Sequence, residues 1–169
     1  AAFRRLHARH PRTRLRAAGF LGARDQAWFE QLRREAADLG DAFEYCGSPP
    51  DHAGKVAFLK TLDLFSVPTS YREPKGLSVL EALANGVPVV QPRHGSFPEL
   101  LEETGGGLLV QPEDDEALAE GLERVMLDPT LRTALATTGW RRVREAFSME
   151  RMARDTAAVL RGDGEIAGS

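Results

Sequence analysis

The stretch from Pro68 to Gly86, Pro-Thr-Ser-Tyr-Arg-Glu-Pro-Lys-Gly-Leu-Ser-Val-Leu-Glu-Ala-Leu-Ala-Asn-Gly, has the pattern of a strand end, a loop and a helix. Its helical part is apolar nearly all round, yet Ser78, Glu81 and Asn85 recur at helical spacing and form one polar stripe. A helix N-terminus attracts phosphate, and carboxylates accept hydrogen bonds from sugar hydroxyls well. The stretch therefore predicts a ligand with hydroxyl and phosphate groups beside Glu73 and Glu81.

The composition predicts one soluble domain with a real hydrophobic core, because 42% of the 169 residues are apolar and 28% are charged. We find no apolar run of the ~18 residues that a membrane helix needs, and no signal-peptide pattern at the start. The single cysteine, Cys46, excludes an internal disulfide and a cysteine-based zinc site. The four histidines lack metal-ligand spacing. These features predict a cytoplasmic protein without a metal site.

The charge distribution is uneven, since residues 1–24 carry seven arginines and no acidic residue while the net charge is -3. Clustered cations of this kind can bind nucleic acid or anionic lipid. No aromatic residues interleave these arginines, which favours a solvated face. We therefore expect no nucleic-acid partner.

Apolar segments alternate with amphipathic helical patterns, which predicts a doubly wound α/β domain with a parallel sheet. The predicted strands are Leu15 to Ala18, Ala42 to Cys46, Leu62 to Val67, Pro88 to Gln91 and Leu108 to Val110. The sequence predicts one helix from Asp25 to Leu39 and another from Asp51 to Leu59. Three more predicted helices follow the last strand: Glu113 to Met126, Pro129 to Phe147 and Ser148 to Leu160. The domain is expected to span residues 1–160, with a disordered tail over residues 161–169.

Ligands of parallel sheets bind beyond the carboxyl ends of the strands, so the loops after the predicted strands are the candidate sites. In the loop that ends at Gly76, the glycine permits close approach of a ligand, and Leu77 and Ser78 would offer free amides. Lys75 adds a positive charge there. His94 and Gly95, in another such loop, are weaker candidates, for which a surface role is about equally compatible with the sequence.

A longer set of motifs resembles the retaining glycosyltransferases of family 4. It comprises Pro-Thr, Glu73, Gly-Leu, Glu-Ala-Leu-Ala-Asn-Gly-Val-Pro-Val-Val, His-Gly-Ser-Phe-Pro-Glu, Gly-Gly-Leu-Leu-Val-Gln-Pro and Phe-Ser-Met-Glu, and it covers the chain from about Pro11 to Leu160. The resemblance implies the GT-B architecture of two Rossmann-like domains, of which this chain corresponds to the C-terminal, donor-binding one. It also implies transfer of a hexose from a nucleotide-diphosphate sugar (UDP-, GDP- or ADP-sugar) with retention, without a cofactor.

By the same resemblance, Glu73 is the catalytic glutamate that contacts donor-sugar hydroxyls, and Glu81 binds the ribose. The amides of Lys75, Gly76 and Leu77 would hold the sugar and diphosphate. The base-binding region would include Gly47, Ser48 and Lys55. Many relatives have an aromatic residue where this chain has Lys75, so the donor contact at that position is open.

The resemblance further implies that parts of the enzyme are absent from this sequence. These are a first strand between the strands at Leu15 and Leu62, a phosphate-binding arginine and lysine, and an N-terminal domain that carries the acceptor site. We therefore expect this fragment alone to be inactive and the full-length protein to allow peripheral membrane contact. Two alternatives stay open: a non-catalytic interaction domain of the same fold, and a GT-B phosphorylase or epimerase.

Overall fold

The computed structural model describes residues 1–162. Four strands lie in this range: β1 (Leu15–Ala17), β2 (Phe43–Tyr45), β3 (Val89–Pro92) and β4 (Gly107–Val110). The α-helices are α1 (Ala2–Arg9), α2 (Gln26–Glu35), α3 (His52–Leu59), α4 (Leu77–Ala84), α5 (Phe97–Thr104), α6 (Asp115–Leu127), α7 (Pro129–Ala146) and α8 (Met149–Arg161). No helix in this range is both long enough and apolar enough to cross a bilayer.

The strands pair in parallel, as the alternation of strands and helices predicts. β1 pairs with β2, with Leu15 opposite Phe43, and β3 pairs with β4, with Val89 opposite Gly107. In the described residues these strands form two separate two-stranded sheets. The first strand that would lie between the Leu15 and Leu62 segments stays a prediction.

The predicted strand from Leu62 to Val67 is reduced to a single parallel bridge between Phe65 and Val89. Regular parallel pairing would next require Val67 to accept a hydrogen bond from the amide of residue 92, and Pro92 has no N–H. Side chains complete the pairing instead. The Ser66 hydroxyl donates to the carbonyl oxygen of Val90 at 2.7 Å, and the Val67 amide donates to Gln91 Oε1 at 3.0 Å.

Both faces of β3 are covered, which makes it the centre of the folded core. Val89 and Val90 are both fully buried, but they belong to different hydrophobic clusters because neighbouring strand residues point to opposite faces. The cluster around Val89 is built by α4, α5 and α7, and the cluster around Val90 by α1 and α6. Helices on both faces of parallel strands confirm the doubly wound α/β class.

Two helices begin where the sequence predicts, each with a capping side chain. Asp51 caps α3 by accepting a hydrogen bond from the Gly54 amide at 2.7 Å, and Ser148 caps α8 by accepting one from Arg151 at 3.2 Å. The helix predicted from Asp25 to Leu39 starts where expected, because Asp25, the last residue of a 3-10 turn, is the N-cap of α2, although its side chain makes no capping bond. The predicted end is wrong, because α2 ends at Glu35. A second 3-10 segment, Ala37–Ala42, follows, and Gly40 interrupts it with a φ of 50°.

The disordered tail was predicted to begin at residue 161, but Arg161 is the last residue of α8 in the structure. Gly162 follows it in a left-handed conformation. A left-handed glycine is a common helix end. The rest of that prediction, residues 163–169, lies outside the described residues.

The arginine-rich start of the chain is largely paired with acidic side chains from later segments. Arg4 pairs with Asp38, and Arg5 and Arg9 both pair with Glu116, at 2.9 and 2.7 Å. The pairs of Arg5 and Arg9 join α1 to α6, and the two helices also share the cluster around Val90. The pair of Arg4 joins α1 to the segment Ala37–Ala42. The basic segment thus serves packing within the domain, which supports the interpretation of a solvated, ion-paired face.

Candidate functional site

The loop of residues 68–76, here called the Glu73 loop, leads from the Phe65 bridge into α4. Within it the Glu73 carboxylate accepts three hydrogen bonds. The amides of Lys75 and Gly76 donate to Oε1 at 3.2 and 3.1 Å, and the Tyr71 hydroxyl donates to Oε2. These hydrogen bonds hold the pKa of the Glu73 carboxyl below its ordinary value. The Tyr71 hydroxyl contributes most to this lowering, and the amides of Gly76 and Lys75 contribute less.

A second segment, residues 93–96 after β3, holds the backbone of the Glu73 loop. The Ser96 amide donates to the carbonyl oxygen of Glu73 at 2.9 Å, and His94 donates from Nε2 to the carbonyl oxygen of Thr69 at 2.8 Å. Gly95 is the point of closest approach: a Cβ there would lie 2.6 Å from the Glu73 carbonyl oxygen and 2.7 Å from its nitrogen. The two predicted residues His94 and Gly95 therefore lie against the backbone of the predicted catalytic loop.

Gly76 starts α4 and satisfies two requirements that exclude other residues. Its φ is +61°, the left-handed region that glycine adopts readily, and a Cβ would lie 2.4 Å from Leu100 Cδ1. The buried Gly76 consequently lets the Glu73 loop turn tightly against α5. In the described part of the chain no acceptor is bonded to the amides of Leu77 and Ser78, the first two residues of α4. Such free amides are the anion-attracting feature of a helix N-terminus.

Glu81 lies on α4, and in the described part of the chain one charged contact holds its carboxylate. Lys55, from α3, places its Nζ 2.8 Å from Glu81 Oε1. The side chains of both residues are partly open to solvent, with 44% of Lys55 and 38% of Glu81 exposed. The structure thus brings together two predicted donor-binding residues from different helices. Asn85, the third member of the predicted polar stripe, instead bonds the Glu81 carbonyl oxygen at 2.9 Å and closes the helix.

The predicted base-binding residues Gly47 and Ser48 follow β2. Gly47 has a φ of +71°, and its carbonyl oxygen accepts a hydrogen bond from the Gly19 amide at 3.0 Å, which links the loops after β1 and β2. Ser48 is exposed. No hydrogen bond or ion pair connects either residue to Glu73 or Glu81 within residues 1–162. Of the three predicted base-binding residues, Lys55 is the one that bonds Glu81.

Sequence reasoning missed the residues that hold the two loops in place. Tyr71 was not distinguished from its neighbours, because spacing alone does not show that its hydroxyl bonds Glu73. Gln91 is completely buried and bonds Val67 through Oε1, while its Nε2 has no partner in the described residues. A polar residue at the end of an apolar strand was the available signal for it.

The described residues contain no group of three or more histidine, cysteine, aspartate or glutamate side chains placed to hold a metal ion. Charged residues on the segments that form the site include the carboxylates of Glu73 and Glu81 and the cations of Lys55, Lys75, Arg72 and Arg93. Together with the free amides, this arrangement can accept hydroxyl donors and attract an anion.

A parallel α/β unit with glutamates around the N-terminal half of one helix is the kind of domain found in GT-B glycosyltransferases. Residues 1–142 match the family model described as Glycosyl transferases group 1, so the chain belongs to that family. It is 35% identical over 127 residues to the lipopolysaccharide core biosynthesis mannosyltransferase LpsB of Rhizobium meliloti, which covers 73% of this chain and 34% of LpsB. The chain thus spans about a third of that relative's length.

Solved structures show the same fold. The sucrose-phosphate synthase of Thermosynechococcus elongatus superposes with a TM-score of 0.82 and 28% identity, over 95% of this chain and 41% of the synthase. The HepE protein of Anabaena, solved in complex with UDP-glucose, superposes with a TM-score of 0.83 and 21% identity, over 95% of this chain and 44% of HepE. The predicted fold, a Rossmann-like parallel α/β unit of the GT-B type with additional C-terminal helices, is confirmed.

Proposed function

We propose that this chain is the donor-binding, C-terminal domain of a family 4 glycosyltransferase, which transfers a sugar from a nucleotide-diphosphate sugar to an acceptor hydroxyl with retention of configuration. One observation carries the proposal: Glu73 and Glu81 lie before and within α4, and between them the Leu77 and Ser78 amides have no bonded acceptor in the described residues. Two carboxylates for hydroxyls and free amides for phosphate match the parts of a nucleotide sugar. The UDP-glucose complex of HepE, which shares the fold, supports this choice of ligand.

Glu73 would accept a hydroxyl of the transferred sugar, and the diphosphate would lie at the start of α4. The amides of Lys75 and Gly76, which the family resemblance assigned to the donor, donate to Glu73 in the structure. The proposal therefore gives the diphosphate to the amides of Leu77 and Ser78 and to the Lys75 ammonium. Gly76 contributes by keeping the backbone free of a side chain at the point of approach.

Glu81 would hold the ribose, and Lys55 would fix Glu81 for that contact. Lys55 already bonds Oε1 of Glu81, so Oε2 is the oxygen open to ribose hydroxyls. The base would extend towards Gly47 and Ser48, next to the Gly19 loop. His94 and Gly95 would act on the donor through the loop that they hold.

Catalysis in this proposal depends on stabilising the negative charge that develops on the departing nucleotide diphosphate. Fixed amides and cations can do so without reorganisation when the bond breaks. Further cations and the acceptor site would come from parts of the full-length protein beyond this sequence. The acceptor hydroxyl would attack the sugar carbon on the same face from which the leaving group departs. The protein would act in the cytoplasm on a lipid-linked or polysaccharide acceptor.

Titration calorimetry of the full-length protein with UDP-, GDP- and ADP-sugars tests the proposal. We expect one of these donors to bind and Glu81→Ala to weaken it about tenfold or more, the scale of a lost hydrogen bond to a charged group. Glu102→Ala, which removes an exposed glutamate from α5, is the matched control and should bind as the wild type does. No binding of any donor would contradict the proposal, and wild-type binding by Glu81→Ala would favour a non-catalytic domain.

A further inference from the structure

Tyr71 is an exposed aromatic residue whose hydroxyl is nevertheless fixed. The side chain is 61% exposed, and its hydroxyl donates to Oε2 of Glu73. Its backbone is fixed as well, since its amide donates to Thr69 Oγ1 at 3.1 Å. Thr69 in turn accepts the hydrogen bond from His94. A chain of contacts therefore runs from the segment after β3 through Thr69 and Tyr71 to the Glu73 carboxylate.

The contacts of Glu73 limit what its carboxylate can still accept. An ionised carboxylate offers about four lone-pair positions on its two oxygens. The two amides of Lys75 and Gly76 use Oε1, and the Tyr71 hydroxyl uses one position on Oε2. One position remains on Oε2, directly beside the phenolic oxygen of Tyr71.

We propose that Tyr71 is a positioning residue for Glu73: its hydroxyl fixes the carboxylate so that Oε2 presents one acceptor position to one hydroxyl of the donor sugar. The proposal rests on the proposed function, in which Glu73 contacts that sugar. Because a phenolic oxygen also accepts hydrogen bonds, Tyr71 offers a second acceptor next to the first. The pair suits two neighbouring hydroxyls of a sugar ring better than an isolated one.

The ionisation of the two groups agrees with this geometry. The contact lowers the pKa of Glu73 and raises the pKa of the Tyr71 hydroxyl above its ordinary value. Other titratable groups on the segments packed here are Arg72, Lys75, Arg93, His94 and Glu99. No ion pair joins any of them to Glu73 in the described part of the chain. Removing the Tyr71 hydroxyl should therefore move the Glu73 pKa upward without another charge compensating.

The test compares the wild type with Tyr71→Phe in the full-length protein. The first readout is an NMR titration of the Glu73 side-chain carboxyl without ligand, and the second is the affinity for a nucleotide sugar measured across pH. Tyr71→Phe keeps the ring and, being exposed, should fold. Tyr45→Phe is the matched control for the titration, because the Tyr45 hydroxyl donates to the Gly19 carbonyl oxygen and does not touch Glu73.

We expect Tyr71→Phe to raise the Glu73 pKa, to weaken donor binding about two- to tenfold, the range for one net hydrogen bond, and to shift the acidic limb of the binding profile to higher pH. Tyr45→Phe should leave the Glu73 titration unchanged. An unchanged Glu73 pKa in Tyr71→Phe overturns the inference. If Tyr71→Phe binds the donor with wild-type affinity while Glu73→Ala loses binding, the inference is overturned and the proposed function stands. If Glu73→Ala binds the donor fully, both the proposed function and the inference are overturned.

Discussion

The loop that carries Glu73 and the helix face that carries Glu81 are held by different kinds of contact. Glu73 is bonded by two amides and a hydroxyl from its own loop, and its backbone is clamped by Gly95 and Ser96. Within residues 1–162 the Glu81 carboxylate has a single side-chain partner, the flexible and partly exposed Lys55. The first glutamate is fixed by backbone geometry, while the second depends on one screened ion pair.

This difference separates two ways to prepare a carboxylate for a ligand. Contacts from backbone groups and a rigid ring are already ordered in the free protein, so binding loses little side-chain entropy there. A lysine side chain has many rotamers, so the side chains of Lys55 and Glu81 lose part of their conformational entropy only when the ligand binds. The transferred sugar would therefore meet a preorganised acceptor, and the ribose a more adjustable one.

The largest effect should come from Gly95→Ala, which attacks the clamp on the Glu73 backbone. The added Cβ would lie within 2.7 Å of two backbone atoms of Glu73, and Gly95 has a φ of +58°. Because backbone atoms cannot move aside as a side chain can, we expect a loss of about 1–3 kcal/mol in the free energy of unfolding. Donor binding should also weaken. Chemical denaturation and calorimetry measure the two effects.

Gly86→Ala is the matched control for that substitution. Gly86 also has a positive φ, +76°, but a Cβ there would meet no atom within 4 Å. It should show only the backbone strain of a left-handed alanine, about 1 kcal/mol, and leave donor binding intact. Equal destabilisation by the two alanines would show that the contact between Gly95 and Glu73 is not what holds the loop.

Most of the fold could be predicted because its cause lies in local pattern. β3 and β4 are short apolar runs bounded by glycine and proline, and α4 follows Gly76, a glycine with a positive φ at the start of the helix. The segment from Leu62 to Val67 has the same apolar pattern but lacks a regular ladder. Its pairing depends on which residue lies opposite, and a proline in the partner strand is not visible from the segment itself.

The site shows the same division. The placement of Glu73, Gly76 and Glu81 around the start of α4 could be predicted from one continuous stretch, because helical spacing and a glycine turn are local features. The contact of Lys55 with Glu81 joins residues 26 positions apart, and only the packing of α3 near α4 produces it. Tyr71 was missed for another reason: its position was local, but spacing alone does not tell which way a loop side chain turns.

A smaller effect should follow from Lys55→Met, which removes the charged partner of Glu81 but keeps most of the length of the side chain. Since the pair is partly exposed and screened by salt, we expect the free energy of unfolding to change by no more than about 1 kcal/mol. Donor affinity should fall more clearly, and less so at high salt. Lys60→Met, at the end of α3, is the matched control. Destabilisation as large as that of Gly95→Ala would refute the contrast between the two glutamates.

The smallest expected effect concerns the stability of the folded protein at acidic pH. It reports how strongly the contacts of Glu73 favour its ionised form when no ligand is bound. The pKa of Glu73 is lowered in the folded protein, so between that value and the ordinary glutamate pKa of about 4.3 the unfolded chain binds more protons. The contribution of Glu73 to stability is therefore fully present above the ordinary value and is lost as the pH falls through the lowered one. Glu73→Gln cannot ionise, so acidification should reduce its stability less than that of the wild type. Urea unfolding across the acid range compares them, and parallel curves would mean that Tyr71 and the two amides do not favour the ionised carboxylate.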